Sequence, residues 1–341
     1  MTEGATSFRL GLVTPVFNDW ESLSILLRRI TELYCREDIT LSVVAIDDGS
    51  TRGSEAPDIG EPGLSCISRF EVVRLATNLG HQRAIAIGLV QLAARSDIEA
   101  VLVMDSDGED RPEEIEALVK AARANPEAVI LAERSKRSES PGFRLGYMVY
   151  KLLFRLLTGQ RVSFGNFMII PKAVLTGLIS IATLWNNLPA TIIRSCHHLV
   201  TIPTIRGERY AGESKMNLVA LAIHGLSVIS VYVDVIFVRL LLGSAAVIVA
   251  AIIAILFFVG YKLFTDLATP GWTTTVISTF IIVILQASVF MVGTTLMLLG
   301  GRSNYTIVPA LDWRRYVESP AASSVEQGGI VPASGEEKTA K

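Results

Sequence analysis

Residues 100–112 read AVLVMDSDGEDRP. Ala100 to Met104 is apolar and too short for a buried helix, so it reads as a buried strand, and it runs directly into Asp105, Ser106 and Asp107. Asp110 and Pro112 then mark the start of a helix that carries Ile115, Leu118 and Val119. Strand, acidic turn and helix in that order are one unit of an α/β fold. In open α/β sheets the ligand crevice lies beyond the carboxyl ends of the strands, and residues i and i+2 point to one side, so Asp105 and Asp107 can share a cation. Hard carboxylate oxygens suit Mg²⁺ or Mn²⁺, ions held by one or two carboxylates together with substrate phosphates. Glu109 adds a third oxygen in the same loop. Read alone, a DxD stretch is equally an acidic loop capping the following helix.

Working outward, further strands are expected at Leu10 to Thr14, Leu41 to Ile46, Glu71 to Leu75 and Ala128 to Ala132, with a helix from Trp20 to Tyr34 that spaces Leu23, Leu26, Leu27, Ile30 and Leu33 along one face. Strands alternating with helices imply a mostly parallel sheet from about residue 9 to 209. The second strand also ends in acid, at Asp47 and Asp48, followed by Gly49 and Ser50, so two acidic strand ends share one cleft. A carboxylate there accepts from ribose hydroxyls or base N–H groups, whereas DDGS in isolation is an ordinary turn. Asp48 to Cys66, rich in Gly, Pro and Ser, reads as a surface loop.

Composition changes after Lys215. Half of the 341 residues are hydrophobic, 19% are charged, and the mean hydropathy is +0.45, too high for a purely soluble chain. Leu240 to Tyr261 and Val276 to Leu299 are uncharged stretches of about 33 and 36 Å as helices, each long enough to cross a hydrocarbon core of about 30 Å. Met216 to Val238 precedes the first with too little chain between for a hairpin, and it reads as a helix lying at the interface. One cation, Lys262, sits between the spans, against Lys215, Arg239, Arg302, Arg314 and Arg315 on their flanks, so both termini and the α/β domain are expected in the cytosol of a multi-pass cell-membrane (inner or plasma membrane) protein. The expected organisation is a catalytic domain over residues 1–210, a juxtamembrane helix over 211–239, two spans over 240–301 and a largely disordered tail over 302–341.

Several function classes are excluded. A formal net charge of -2 lacks the basic excess of a nucleic-acid binder, and three cysteines without a CxxC pair give neither a disulfide framework nor a zinc site. No GxGxxG or GxxxxGK[ST] follows an expected strand. His197 and His198 have no ligand spacing and read as structural, while His81, after a glycine at a helix start, either approaches a ligand or caps the helix. Glu133 to Arg161 carries seven cations beside Leu145, Met148, Val149, Leu152, Leu153 and Leu156, the make-up of a helix resting on anionic lipid or of a solvated basic face.

In this order the motifs resemble family 2 glycosyltransferases of GT-A (Rossmann-like) fold, specifically those that use polyprenyl phosphates as acceptors. The resemblance is carried by Pro15-Val16-Phe17-Asn18-Asp19, Asp47-Asp48-Gly49-Ser50, Asn78-Leu79-Gly80-His81-Gln82, Asp105-Ser106-Asp107, Arg134 with Arg137, and Arg209-Tyr210-Ala211-Gly212-Glu213-Ser214-Lys215. It implies a nucleotide sugar held by Pro15, Phe17, Asp19, Asp47, Asp48 and Ser106, the last between the two metal carboxylates. It further implies a divalent ion on Asp105, Asp107 and Glu109, donor phosphates reached by Arg209, Ser214 and Lys215, and a lipid-phosphate acceptor at Arg134 and Arg137. Phe17 and Asp19 depart from the usual Tyr and Glu, and Glu109 stands where a metal-binding Gln is usual. The implied reaction is inverting transfer to undecaprenyl phosphate with UDP-hexose as first choice of donor and GDP-mannose as second. A scaffold that keeps the fold without turnover, or a different acceptor, is the alternative, and a homo-oligomer stays open.

Overall fold

In the computed structural model the described residues are 7–34, 39–51, 67–134, 152, 154–160, 165–195, 197–211, 218–265, 271–303 and 305–318. Seven strands form one sheet: β1 (Phe8–Val16), β2 (Ile39–Asp47), β3 (Ile67–Arg74), β4 (Ala100–Val103), β5 (Val129–Arg134), β6 (Met168–Pro171) and β7 (Leu199–Thr204), in the order β3-β2-β1-β4-β6-β5-β7. β6 alone is antiparallel to its neighbours, so the other six strands end at one edge. The expected class, a mostly parallel α/β sheet followed by apolar helices, is the fold observed. The sequence reading did not set out β6 as a strand.

Both faces of the central strands are buried, with side chains dividing at the period of two that a strand imposes. Leu10 and Leu12, Leu41, Val43 and Ala45, and Ala100, Leu102 and Met104 face α1 (Trp20–Tyr34) and α3 (Ile115–Ala124). Val13, Val44 and Ile46, Val101 and Val103 face α2 (His81–Ala93), α4 (Lys172–Leu178) and α5 (Leu188–Arg194). α1 spans the residues expected of it, and Leu23, Leu26, Leu27 and Ile30 on its inner face are at most 1% exposed, each worth about 1.5–3 kcal/mol of burial. Tyr34 ties the two helices of that layer, donating to Pro112 O at 2.8 Å and accepting from Glu116 N at 3.2 Å.

After the sheet the described residues form α6 (Leu218–Ser230), α7 (Val233–Phe264) and α8 (Trp272–Ser303), followed by a short turn of helix at Pro309–Asp312. α7 and α8 are long and apolar enough to cross a membrane, and they show little buried surface. Leu242, Ile253, Leu256 and Phe257 on α7, and Leu285, Val289 and Leu296 on α8, are exposed, a surface suited to lipid rather than water. The stretch read as one interfacial helix, 216–238, is instead broken at Val231 and Tyr232, so that Val233 to Val238 belong to α7. The break serves as the joint with the α/β domain. Tyr232 donates to Ala190 O at 3.2 Å and meets Phe154 edge-on, and Arg194 forks onto Asp234 at 3.0 and 2.8 Å.

After α8 the chain returns to the sheet. Val317 bridges Leu75 beyond β3, Ala76 N donates to Tyr316 O and Glu318 N to Arg74 O, each at 2.9 Å, and Ala310 N donates to Ile179 O at 3.1 Å. Ile307, Trp313, Tyr316 and Val317 pack on the α2-side core, with the Tyr316 ring 4.9 Å from Trp185. Residues 305–318, which composition assigned to the tail, are therefore part of the domain, and α7 and α8 leave and re-enter it on one side. The remainder of the expected tail lies outside the described residues.

Candidate functional site

Chain order runs β1, β2, β3 to one side of the sheet and then returns to β4 on the other side of β1, so the strand order reverses between β1 and β4. That switch point is where open α/β sheets bind ligands. The loops leaving β1, β2 and β4 meet there: Ser106 Oγ donates to Pro15 O at 3.2 Å, Asp48 N to Val16 O at 2.8 Å, and Asn18 N to Ser50 Oγ at 2.9 Å. Phe17 is 36% exposed at the rim.

The acidic residues have distinct duties. Asp47 Oδ1 accepts from Ser50 N at 2.9 Å, closing the turn after β2. Asp48 accepts from Leu79 N at 2.7 Å and Gly80 N at 3.0 Å, and so joins the β2 exit to the start of α2. Burial pushes its carboxyl up, against the pull of those two N–H groups. Both carboxylates, expected on the donor, are buried and turned to the main chain.

Asp105 and Asp107 stand at the end of β4. Asp107 is raised by burial and then by the charges of Asp105 and Glu109, which outweigh the Glu109 N–H and Arg209. Arg209 lies 3.3 Å from Asp107 Oδ2 and 3.8 Å from Asp19 Oδ2, so one guanidinium joins two acids 88 positions apart. Its Nε is buried and makes no hydrogen bond among the described residues. The segment that carries it follows β7 and lies across the DxD loop. Tyr210 N donates to Asp107 O at 2.9 Å and Gly207 N to Glu109 O at 2.8 Å. Gly108 has φ +89°, and a Cβ there would lie 2.9 Å from both Glu208 O and the Tyr210 ring. Arg29 covers the outer side of that ring, 5.2 Å from its centroid.

Three residues that the sequence left open or unread complete the site. His81 Nε2 is 3.2 Å from Asp105 Oδ1; burial disfavours its charged form, but Asp105, then Asp110 and Asp107, hold it above the usual histidine range. Asn166 links His81 at 2.8 Å to Gln82 at 2.9 Å, and Gln82 accepts from Leu188 N at 2.8 Å. Arg206 forms an ion pair with Glu109. The signals available were a polar Asn inside SFGNFMIIP and a second arginine three residues before Arg209.

Among the described residues no three His, Cys, Asp or Glu side chains gather as a metal-ligand set. Asp105 and Asp107 do fit a divalent ion as a pair, because the charge of Asp105 adds to burial in raising the Asp107 carboxyl, and a cation between them would relieve that charge. Arg134 ends β5 at the same sheet edge, beside Thr204 of β7. The Arg134 side chain, Arg137, Ser214, Lys215 and most of the basic segment 133–161 lie outside the described residues.

Residues 12–175 match the family described as Glycosyl transferase family 2. The chain is 29% identical over 209 residues to an undecaprenyl-phosphate 4-deoxy-4-formamido-L-arabinose transferase of Pseudomonas fluorescens, covering 60% of this chain and 59% of that protein. It is 26% identical over 220 residues to the protein of the same name from Serratia proteamaculans, covering 62% and 64%. The matched part is thus about 60% of the length of these relatives. Among solved structures, glucosyl-3-phosphoglycerate synthase from Mycobacterium tuberculosis, in complex with Mn²⁺, UDP-glucose and phosphoglyceric acid, superposes with a TM-score of 0.45 at 16% identity over 68% of this chain and 80% of that one. Residues 12–175 are a glycosyl transferase family 2 domain.

Proposed function

We propose that this protein transfers a sugar from a nucleotide-sugar donor to a polyprenyl phosphate, undecaprenyl phosphate in the first instance, at the cytoplasmic face of the cell membrane. The observation that carries the reading is the convergence of Asp105, Asp107 and Arg209 at the β1/β4 switch point of a domain joined directly to two apolar helices. The names of the relatives support the acceptor, and the Arg209 Nε supports a phosphate in the cleft, since a buried guanidinium donor is best satisfied by an anionic oxygen. UDP-hexose is the first donor to test and GDP-mannose the second.

A Mg²⁺ or Mn²⁺ ion held by Asp105 and Asp107 would supply Lewis-acid stabilisation of the departing nucleotide. Arg209, already beside Asp107, is placed to move onto the donor phosphates and meet the charge that grows on them as the anomeric bond breaks. Ser214 and Lys215 follow it in sequence as further phosphate groups, and Arg134 and Arg137 are proposed to bind the acceptor phosphate, for which the forked guanidinium is well shaped. The acceptor needs no general base, because a phosphate monoester with a second pKa near 6 is already mostly dianionic at neutral pH. One of its oxygens bonds to the anomeric carbon while the bond to the diphosphate oxygen breaks, the electron pair leaving with the nucleotide and the configuration inverting. α7 and α8 hold the cleft at the surface where such a lipid phosphate lies.

The test uses the full chain in detergent with Mg²⁺ or Mn²⁺, undecaprenyl phosphate and a panel of radiolabelled nucleotide sugars, scoring label in the organic phase. Transfer of one sugar, lost with EDTA and in Asp105→Asn or Asp107→Asn, is the expected result. Full transfer by the double variant would refute the metal pair, and nucleotide binding without transfer to any lipid phosphate would refute the acceptor.

A further inference from the structure

Glu109 places a third carboxylate beside Asp105 and Asp107, in a loop that already carries two. Its side chain is paired with Arg206, and the two are 18% and 31% exposed, so the pair is largely withdrawn from solvent screening. The backbone around it is closed as well, through Gly207 N to Glu109 O and Tyr210 N to Asp107 O. A Cβ at Gly207 would collide with Gly108 O, so the two segments sit as close as glycine allows. A carboxylate engaged by a guanidinium contributes no net charge and has its oxygens directed at N–H groups rather than at a metal ion.

Resting on the cation reading of Asp105 and Asp107, we infer that Arg206 is a positioning residue that holds Glu109 off the divalent ion. The Arg206 charge then offsets much of that of Glu109 and turns its oxygens away, and an ion on Asp105 and Asp107 would keep two protein carboxylates and open positions for the oxygens of the donor diphosphate. The family-like role of the third acidic position as a ligand is replaced here by an anchor. The loop that presents Asp105 and Asp107 is fixed by an ion pair formed after β7.

Mn²⁺ binding to the full chain in detergent, followed by the electron paramagnetic resonance signal of free Mn²⁺ without nucleotide, tests this. Glu109→Gln is expected to leave the affinity within about twofold, whereas Arg206→Gln, which releases a carboxylate near a divalent ion, is expected to raise it about fivefold or more. Arg206→Lys, which keeps the charge, stays with the wild type, and adding Glu109→Gln to Arg206→Gln cancels the gain. Circular dichroism checks that each variant is folded, and the Glu109→Gln arm stands without any change at Arg206. An equal loss of Mn²⁺ affinity on Glu109→Gln in both backgrounds would make Glu109 a ligand and overturn the inference while leaving the cation site in place. Mn²⁺ binding indifferent to Asp105→Asn and Asp107→Asn would instead overturn the cation reading, and the role of Arg206 with it.

Discussion

Gly108→Ala and Gly80→Ala together separate backbone strain from loop contact. Both glycines have a left-handed backbone, φ +89° and φ +93°, and both replacements cost about 1–2 kcal/mol on that ground. Their surroundings differ. Nothing lies within 4 Å of a Cβ at Gly80, whereas one at Gly108 lies 2.9 Å from Glu208 O and from the Tyr210 ring. Glu208 O is backbone and the ring is packed under Arg29, so the DxD loop must retreat by about half an ångström to reach ordinary contact, a displacement that costs on the order of tenfold in a positioned reaction. Thermal unfolding of the detergent-solubilised protein should fall by a few degrees in both variants, at about 2–4 °C per kcal/mol for a domain of this size. Sugar transfer should fall at least about tenfold further in Gly108→Ala than in Gly80→Ala. Equal activity in the two would show that the 205–211 segment does not set the position of the DxD loop.

Two other perturbations test separate parts of the structure. The folded-state pKa of Asp48 is raised, so its contribution to stability is full below the unfolded value of 3.8 and is lost as pH rises through the folded value. The melting temperature of Asp48→Asn relative to the wild type should therefore rise between pH 4 and neutrality, and a fall over that range would contradict the burial argument. Tyr316→Ala removes the ring packed at a tilt against Trp185 and should destabilise the domain by about 1–3 kcal/mol, with faster proteolysis near residue 305; an unchanged melting curve would mean that the returning segment carries no stability.

The parts of this molecule legible in sequence were those with a local period or a local punctuation mark. α1 was readable to its ends because five apolar residues repeat at helical spacing, and β1, β2 and β4 because buried parallel strands are short apolar runs ending at polar turns. Asp105 and Asp107 could be placed together for the same reason. β6 was not, since Met168 to Pro171 is four residues long and its antiparallel pairing depends on partners 37 to 71 positions away. Arg206 with Glu109, and His81 with Asp105 and Asn166, are pairings across the cleft, and no spacing rule connects side chains 97, 24 and 85 positions apart on different elements. Asp47 and Asp48 were visible as acids at a strand end, but only the geometry shows that their oxygens are occupied by backbone N–H groups. The apolar residues of 307–317 were present to be read, yet arginines beside them made the stretch resemble a span flank.

The return of residues 305–318 to the sheet has a consequence for how the protein is made. The apolar surface around Leu75, Ile179 and Trp185 is covered by Ile307, Trp313, Tyr316 and Val317, residues that leave the ribosome only after both α7 and α8. The domain therefore cannot complete its core until both apolar helices have been made and the chain beyond them has come back to the sheet. A molecule in which residues 305–318 fail to come back leaves that surface and the β3 edge open, the kind of exposed strand and apolar patch that aggregation and quality-control proteases act on. Completion of the apolar helices and final folding of the domain are thus joined in one sequence, and the short segment beyond α8 closes it.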